Sequence, residues 1–266
     1  VVMSTGSREP HRFGTSPIQI VKLIERPGRH DLREVGVTAR CEWAVDADSE
    51  DLPHETLVRT VHAIAKDHPL EQVEELGLSL NDYLLMAHPG LARFDLELRE
   101  CSWRRLDVGG QEQHHAFARV TGETRVARVL GARDGTSVEA GLEDLRLLRA
   151  GGGESPSSPF ATDVAARWRY VRPDVSFGLA LQGVRQLLLE TFVEHPTESP
   201  PALLQAMADA VLESVDDVAS IQLRLTLRCH APVDLSAMGL TNDQGIVAPL
   251  EGPLEIVEAE RTRPDA

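Results

Sequence analysis

The chain has 266 residues, is 42% hydrophobic but only 4% aromatic, and carries a formal charge of −15. That length supports one large domain or two ordinary ones around an aliphatic core. The acidity, with no Lys/Arg run, argues against nucleic acid and anionic membranes as partners. Cys41, Cys101 and Cys229 are an odd set without C-x-x-C spacing. This argues against a disulfide framework or zinc site and predicts a reducing, cytoplasmic setting.

Residues 1–12 are polar and predicted to be frayed, with no apolar leader segment. Residues 17–25 and 32–43 alternate apolar and polar, as half-buried strands do, with Pro27-Gly28 turning between them. Residues 54–67 and 70–86 have helical spacing. Strand pattern returns over 91–106 and 112–133, interrupted at Gly109-Gly110 and Thr121-Gly122. Residues 137–149, with Val138, Leu142, Leu145 and Leu148, predict a helix or a mixed segment. Residues 151–162 form a Gly/Ser/Pro-rich loop. After it come a strand at 163–172, helices at 174–194 and 199–214, a strand at 218–228 and a last strand near 253–259.

The two halves echo each other. A helix runs into Asp67-His68-Pro69 in the first and into Glu194-His195-Pro196 in the second, and a second helix follows each. Strands flank both pairs, which suggests a duplicated unit. The expected division is 13–150 and 163–260, with 151–162 as the joining loop and 261–266 as a tail.

Short stretches then add a resemblance. Phe13-Gly14-Thr15 with Ile18 to Leu23, Thr60-Val61-His62-Ala63-Ile64-Ala65-Lys66, Trp103-Arg104-Arg105-Leu106 and His115-Ala116-Phe117 occur in that order. Gly141-Leu142-Glu143-Asp144-Leu145, Val164 to Tyr170, Leu188 to His195 and Val233-Asp234-Leu235-Ser236 follow. Together they resemble the urate oxidase (uricase) family over nearly the whole chain. The resemblance implies an α+β fold of two tandem tunnelling-fold (T-fold) units, each an antiparallel sheet with two helices on one face. It further implies sheets closing into an intersubunit barrel, a homodimer or homotetramer, sites between subunits, and a cofactor-free oxidase of purine metabolism.

The same resemblance locates departures. The family's catalytic Lys falls at Thr15, and its catalytic Thr and neighbouring Asp fall at His54 and Glu55. The only lysines are Lys22 and Lys66. Lys22 is placed on the same strand as Thr15 but on its other face, and Lys66 at the far end of the helix from His54. The family's stacking Phe and gripping Arg belong to a segment shortened here to Gly153–Thr162, leaving Phe160-Ala161-Thr162. Its Gln falls near Pro201, and its Asn and His fall at Leu227 and Cys229, with His230 one position away.

His54 is the leading candidate base, with Thr15 as its partner; a neutral imidazole accepts protons near pH 7. The competing reading is a polar helix start, with Glu55 favoured by the helix dipole. Glu55, Phe160, Cys229 and His230 are candidate substrate contacts, although a cysteine such as Cys229 is more often small and buried. His62 is expected to be a packed or surface imidazole. His114 and His115 point to opposite faces of a strand, which argues against joint chelation. No metal is expected, and no phosphate loop or dinucleotide glycine pattern supports a nucleotide cofactor. The readings left open are an enzyme acting on a small planar heterocycle, a non-catalytic binder or structural subunit pairing with an active paralogue, and a weak urate oxidase.

Overall fold

A computed structural model describes residues 12–44, 52–150, 159–195, 199–242, 245–250 and 255–264. The expected frayed start before Arg12, most of the Gly/Ser/Pro loop, Pro196 and the last two residues of the tail lie outside the described residues. By internal contacts the chain divides into two units. Unit 1 is Val1–Thr121 with Arg125–Glu139, and unit 2 is Gly122–Thr124 with Ala140–Ala266. The division falls within a strand, ahead of the Gly/Ser/Pro loop.

Unit 1 opens with β1 (Arg12–Gly14), β2 (Ile18–Arg26) and β3 (Arg29–Trp43). Helices α1 (His54–Asp67) and α2 (Val73–Ala87) follow, then β4 (Leu91–Cys101), β5 (Trp103–Val108), β6 (Gln111–Arg119) and β7 (Thr124–Ala132). β3 pairs antiparallel with both β1 and β2, β4 lies beside β3, and β7 beside β4. β5 and β6 form a separate two-stranded ribbon.

The alternation in β3 and β4 decides the layers. Val35, Val37, Ala39 and Cys41, with Phe94, Leu96 and Leu98, are buried on one face. α1 covers the core with Leu57, Val61 and Ala65, and α2 with Val73, Leu76, Leu80 and Leu84. Burying this apolar area is the main source of stability. Gly77 permits the close approach of α2, since a Cβ there would sit 2.7 Å from Val129 Cγ2. The intervening residues, among them Thr38, Arg40, Asp95 and Glu97, face the other way, a polar face without helices.

Strand β8 (Gly135–Arg149) gives residues 135–139 to unit 1 and 140–149 to unit 2. The sequence pattern predicted a helix or mixed segment here, and the structure corrects it to a strand. Val138, Ala140 and Leu142 are buried at period two. Asp144 then adopts φ 62°. This left-handed residue shifts the parity, so that Leu145 is also inward. The resulting 138-142-145 spacing imitates a helix.

Unit 2 continues with β9 (Phe160–Tyr170), α3 (Phe177–Glu194), α4 (Pro200–Ser214) and β10 (Val218–Arg228). β11 (His230–Pro232), a single 3₁₀ turn (Ser236–Met238), β12 (Val247–Pro249) and β13 (Ile256–Thr262) complete it. Its sheet runs β8-β9-β10-β13, with β11 and β12 as a two-stranded ribbon. α3 buries Phe177, Ala180, Val184, Leu188 and Phe192, and α4 buries Leu203, Leu204, Met207, Ala208 and Val211. These pack on the Val164, Ala166 and Trp168 face of β9 and the Ile221, Leu223 and Leu225 face of β10. Each unit is thus a sheet with two helices on one face, the expected α+β arrangement. No helix among the described residues is long and apolar enough to cross a membrane.

Candidate functional site

Thr15 lies in the short gap between β1 and β2, not on the strand that carries Lys22. β3 holds it twice: the Thr15 N–H donates to the Ala39 carbonyl at 3.0 Å, and the Ala39 N–H donates to Thr15 Oγ1 at 3.2 Å. Its oxygen is therefore occupied as an acceptor, and its proton is free to be donated. The side chain borders a cavity of about 900 Å³ on the polar face of unit 1. Arg40, Arg93, Asp95, Arg128 and Thr136 line it with Thr15. A cavity of this size fits a metabolite-sized ligand.

Inside it, Arg128 grips Asp95 at two points, Nε to Oδ1 and Nη2 to Oδ2, each 2.9 Å. Arg40 Nη1 reaches Asp95 Oδ2 at 3.5 Å. Partial burial pushes the Asp95 carboxyl up, but the Arg128 hydrogen bonds and both arginine charges outweigh it. The carboxyl is held below its ordinary range.

Lys22 is committed elsewhere. Its Nζ donates to the carbonyls of Ala65 at 3.0 Å, Lys66 at 2.7 Å and His68 at 2.6 Å. A cation there satisfies the orphan carbonyls at the α1 C-terminus and complements its dipole. Lys66 is exposed in the last turn of the same helix.

His54 is the first residue of α1, after Pro53 at the N-cap. Its ring is exposed and makes no hydrogen bond among the described residues. It does not line the Thr15 cavity. Glu55 beside it turns to Arg59, Oε1 to Nη2 at 2.5 Å, on the solvent face. The exposed His62 ring nitrogen Nε2 lies 3.1 Å from the Gln19 carbonyl. The structure therefore does not gather His54, Glu55 and Thr15 into one cavity of unit 1.

The remaining candidates lie in unit 2. Phe160 begins β9, its ring 5.9 Å from that of Phe192. The Arg149 guanidinium sits over both rings, at 5.9 and 5.7 Å, and donates to the carbonyls of Phe192 and His195. Phe160 is part of a packed cation–aromatic cluster at the end of α3. Cys229 follows β10 and is exposed, against the expectation of a buried thiol. The strand ends at Arg228, so the next side chain leaves the sheet. The buried thiol is Cys41, which burial pushes up to about 12. His230 opens β11, its Nδ1 3.1 Å from the Arg228 carbonyl. Pro201 lies in the first turn of α4, and Leu227 is buried.

His115 Nδ1 lies 2.7 Å from His30 Nδ1, while His114 Nδ1 lies 2.9 Å from the Gly28 carbonyl. No group of three or more metal-ligating side chains occurs among the described residues.

Comparison with known proteins is consistent across three kinds of evidence. The family model described as Uricase matches residues 154–258. The uricase of Arthrobacter globiformis is 26% identical over 279 residues, covering 96% of this chain and 91% of the relative. That of Danio rerio is 23% identical over 267 residues, covering 91% and 90%. The chain is similar to the urate oxidase (uricase) family over nearly its whole length. The crystal structure of the Arthrobacter globiformis uricase superposes with a TM-score of 0.87 at 23% identity, covering 100% of this chain and 96% of that one. A Bacillus sp. TB-90 urate oxidase gives 0.80 at 13% identity, covering 95% and 100%. These likenesses establish the T-fold.

Within that uricase frame, sequence reading missed Arg40 and Arg93 as cavity residues and Lys22 as a helix cap. The signal for the first pair was present: both sit at the polar positions of alternating strands. Lys22 gave none, because the carbonyls it serves lie more than forty residues away.

Proposed function

We propose that this uricase-like chain acts on a small planar heterocycle other than urate, in an oxidase-type reaction without a bound cofactor. Thr15 stands where the resemblance places the family's lysine, and His54 serves as the base. The observation that carries the reading is the commitment of Lys22 to three helix carbonyls. That leaves no lysine for the dyad at Thr15. A lost general base lowers turnover by roughly 10²–10⁴-fold, and lost substrate hydrogen bonds lower discrimination further. The unbonded His54 imidazole is available to a ligand. The reading includes a homo-oligomer that completes the site between subunits, in the cytoplasm.

A second reading is a non-catalytic binder or structural subunit, alone or paired with an active paralogue. It is favoured by the absence of His54 from the cavity that Thr15 borders. Oxygen uptake on a panel of planar heterocycles, for the wild type and His54→Ala, separates the two. Uptake lost in His54→Ala supports the first. Uptake retained in the variant removes His54 from the mechanism, and no uptake on any compound leaves the binder.

A further inference from the structure

The polar faces of the two units differ in how their arginines are used. In unit 2, a cavity of about 440 Å³ is lined by Glu143, Asp163, Arg167, Arg224 and Glu258, among others. There Arg167 is closed onto Glu143 at 2.6 Å, while Arg224 lies 3.6 Å from Glu258, each cation having its own carboxylate. In the unit 1 cavity, Arg93 forms no ion pair or hydrogen bond among the described residues. Arg40 holds only the 3.5 Å contact to Asp95, an oxygen that Arg128 already binds at 2.9 Å.

The register brings the two available guanidinium groups together. Arg40 lies opposite Asp95, and Arg93 lies opposite Glu42. Arg40 and Arg93 are therefore diagonal neighbours on one face, with backbones about 7–8 Å apart. Two long arginine side chains rooted at that spacing can converge on a single oxyanion. Asp134, in the turn between β7 and β8, and Glu42, across from Arg93, line the same cavity and carry the opposite charge.

We infer that the unit 1 cavity binds a small planar molecule bearing a carboxylate, with the carboxylate on Arg40 and Arg93. A hydrogen-bond donor on the ligand faces Asp134, and the Thr15 hydroxyl donates into the same space. The inference rests on the reading above that the cavity at Thr15 takes the ligand, and adds that ligand's charge. It needs no turnover.

Nicotinate and nicotinamide are matched probes, being planar heterocycles that differ in the carboxylate. Each is titrated to 20 mM at constant ionic strength while the arginine side-chain nitrogen resonances are followed. Nicotinate is expected to shift Arg40 and Arg93, with nicotinamide at least ~10-fold weaker. Arg93→Gln is expected to weaken nicotinate ~10-fold, and Arg172→Gln, at an exposed pair with Asp174, to leave it unchanged. Equal response to both probes, response to neither, or nicotinate binding unaltered in Arg93→Gln and Arg40→Gln would overturn the inference. Carboxylate binding without any oxygen uptake would leave this site standing and remove only the catalytic reading.

Discussion

The two units solve the same structural problem with the same device. In unit 1, Lys22 at β2 closes the C-terminus of α1 by donating to its last carbonyls. In unit 2, Arg149 at the end of β8 does so for α3 through Phe192 and His195. At the second helix, Arg263 donates to the carbonyls of Leu212 and Val215 at the end of α4, while Arg133 reaches the Pro89 carbonyl two residues past α2. Lys22 and Arg149, at matching helix ends of two strand–helix–helix–strand units, support a duplication more strongly than the shared acid-His-Pro steps do. The units differ in their interiors. The buried charged side chains among the described residues, Glu74, Glu100 and Arg125, all belong to unit 1. The family model matches within unit 2. Helix closure is thus common to both units, whereas buried charge and the open cavity mark unit 1.

The largest expected effect breaks that contrast directly. Arg125 Nη2 binds Glu74 Oε2 at 2.5 Å and Gln72 Oε1 at 2.6 Å, and its Nη1 lies 3.5 Å from Glu100 Oε2. Glu74 is wholly buried, and burial raises its carboxyl above the ordinary range despite Arg125. Arg125→Met strands the buried Glu74 carboxyl, while Glu100 keeps Arg33 at 3.1 Å. Denaturant unfolding should show a loss of about 3–5 kcal/mol, and a loss below about 1 kcal/mol would remove the network from the account.

The shared device predicts a smaller, matched pair. Lys22→Ala and Arg149→Ala should each cost about 1.5–3 kcal/mol by the same measurement. Arg149→Ala should sit at the upper end, because its guanidinium also covers Phe160 and Phe192. If only one variant destabilises, the two closures are not equivalent.

Acid unfolding sharpens the comparison further. In both units an Asp on the polar face sits between two arginines: Asp95 with Arg40 and Arg128, and Asp163 with Arg146 and Arg228. Partial burial raises each carboxyl and the arginines lower it more, so both titrate below the ordinary range. A carboxyl depressed in the fold adds stability that is present above the unfolded carboxyl range. That stability is lost as pH falls through the folded value. Asp95→Asn and Asp163→Asn should both flatten the loss of stability below about pH 4. A normal acid limb in either variant would contradict the assignment there.

The smallest perturbation is chemical. At pH 8 a soluble thiol reagent should label Cys229, which is exposed, and spare Cys41, whose burial pushes its thiol up to about 12. Equal labelling in the native protein would mean that the β3 core opens on the reagent's timescale.

Much of the architecture was legible in the sequence because strand alternation and helical stripes report burial directly. β2, β3, α1 and α4 lie within a few residues of expectation. β8 was not, since Asp144 changes the parity of the strand and leaves a spacing that resembles a helix. The β11–β12 ribbon is too short for a periodic signal. Thr15 and His54 were candidates through resemblance, but their spatial relation was not legible. That relation depends on the gap after β1 and on where the N-terminus of α1 emerges. The availability of Arg93 was equally hidden, because a side chain's partners depend on register.

The central claim is that the uricase frame persists here without a free lysine for the dyad. Urate absorbance and oxygen uptake should be followed for this protein beside the Arthrobacter globiformis uricase at equal concentration. The account predicts turnover at least roughly 10²-fold slower. A comparable rate, unchanged in Thr15→Val and His54→Ala, would contradict it.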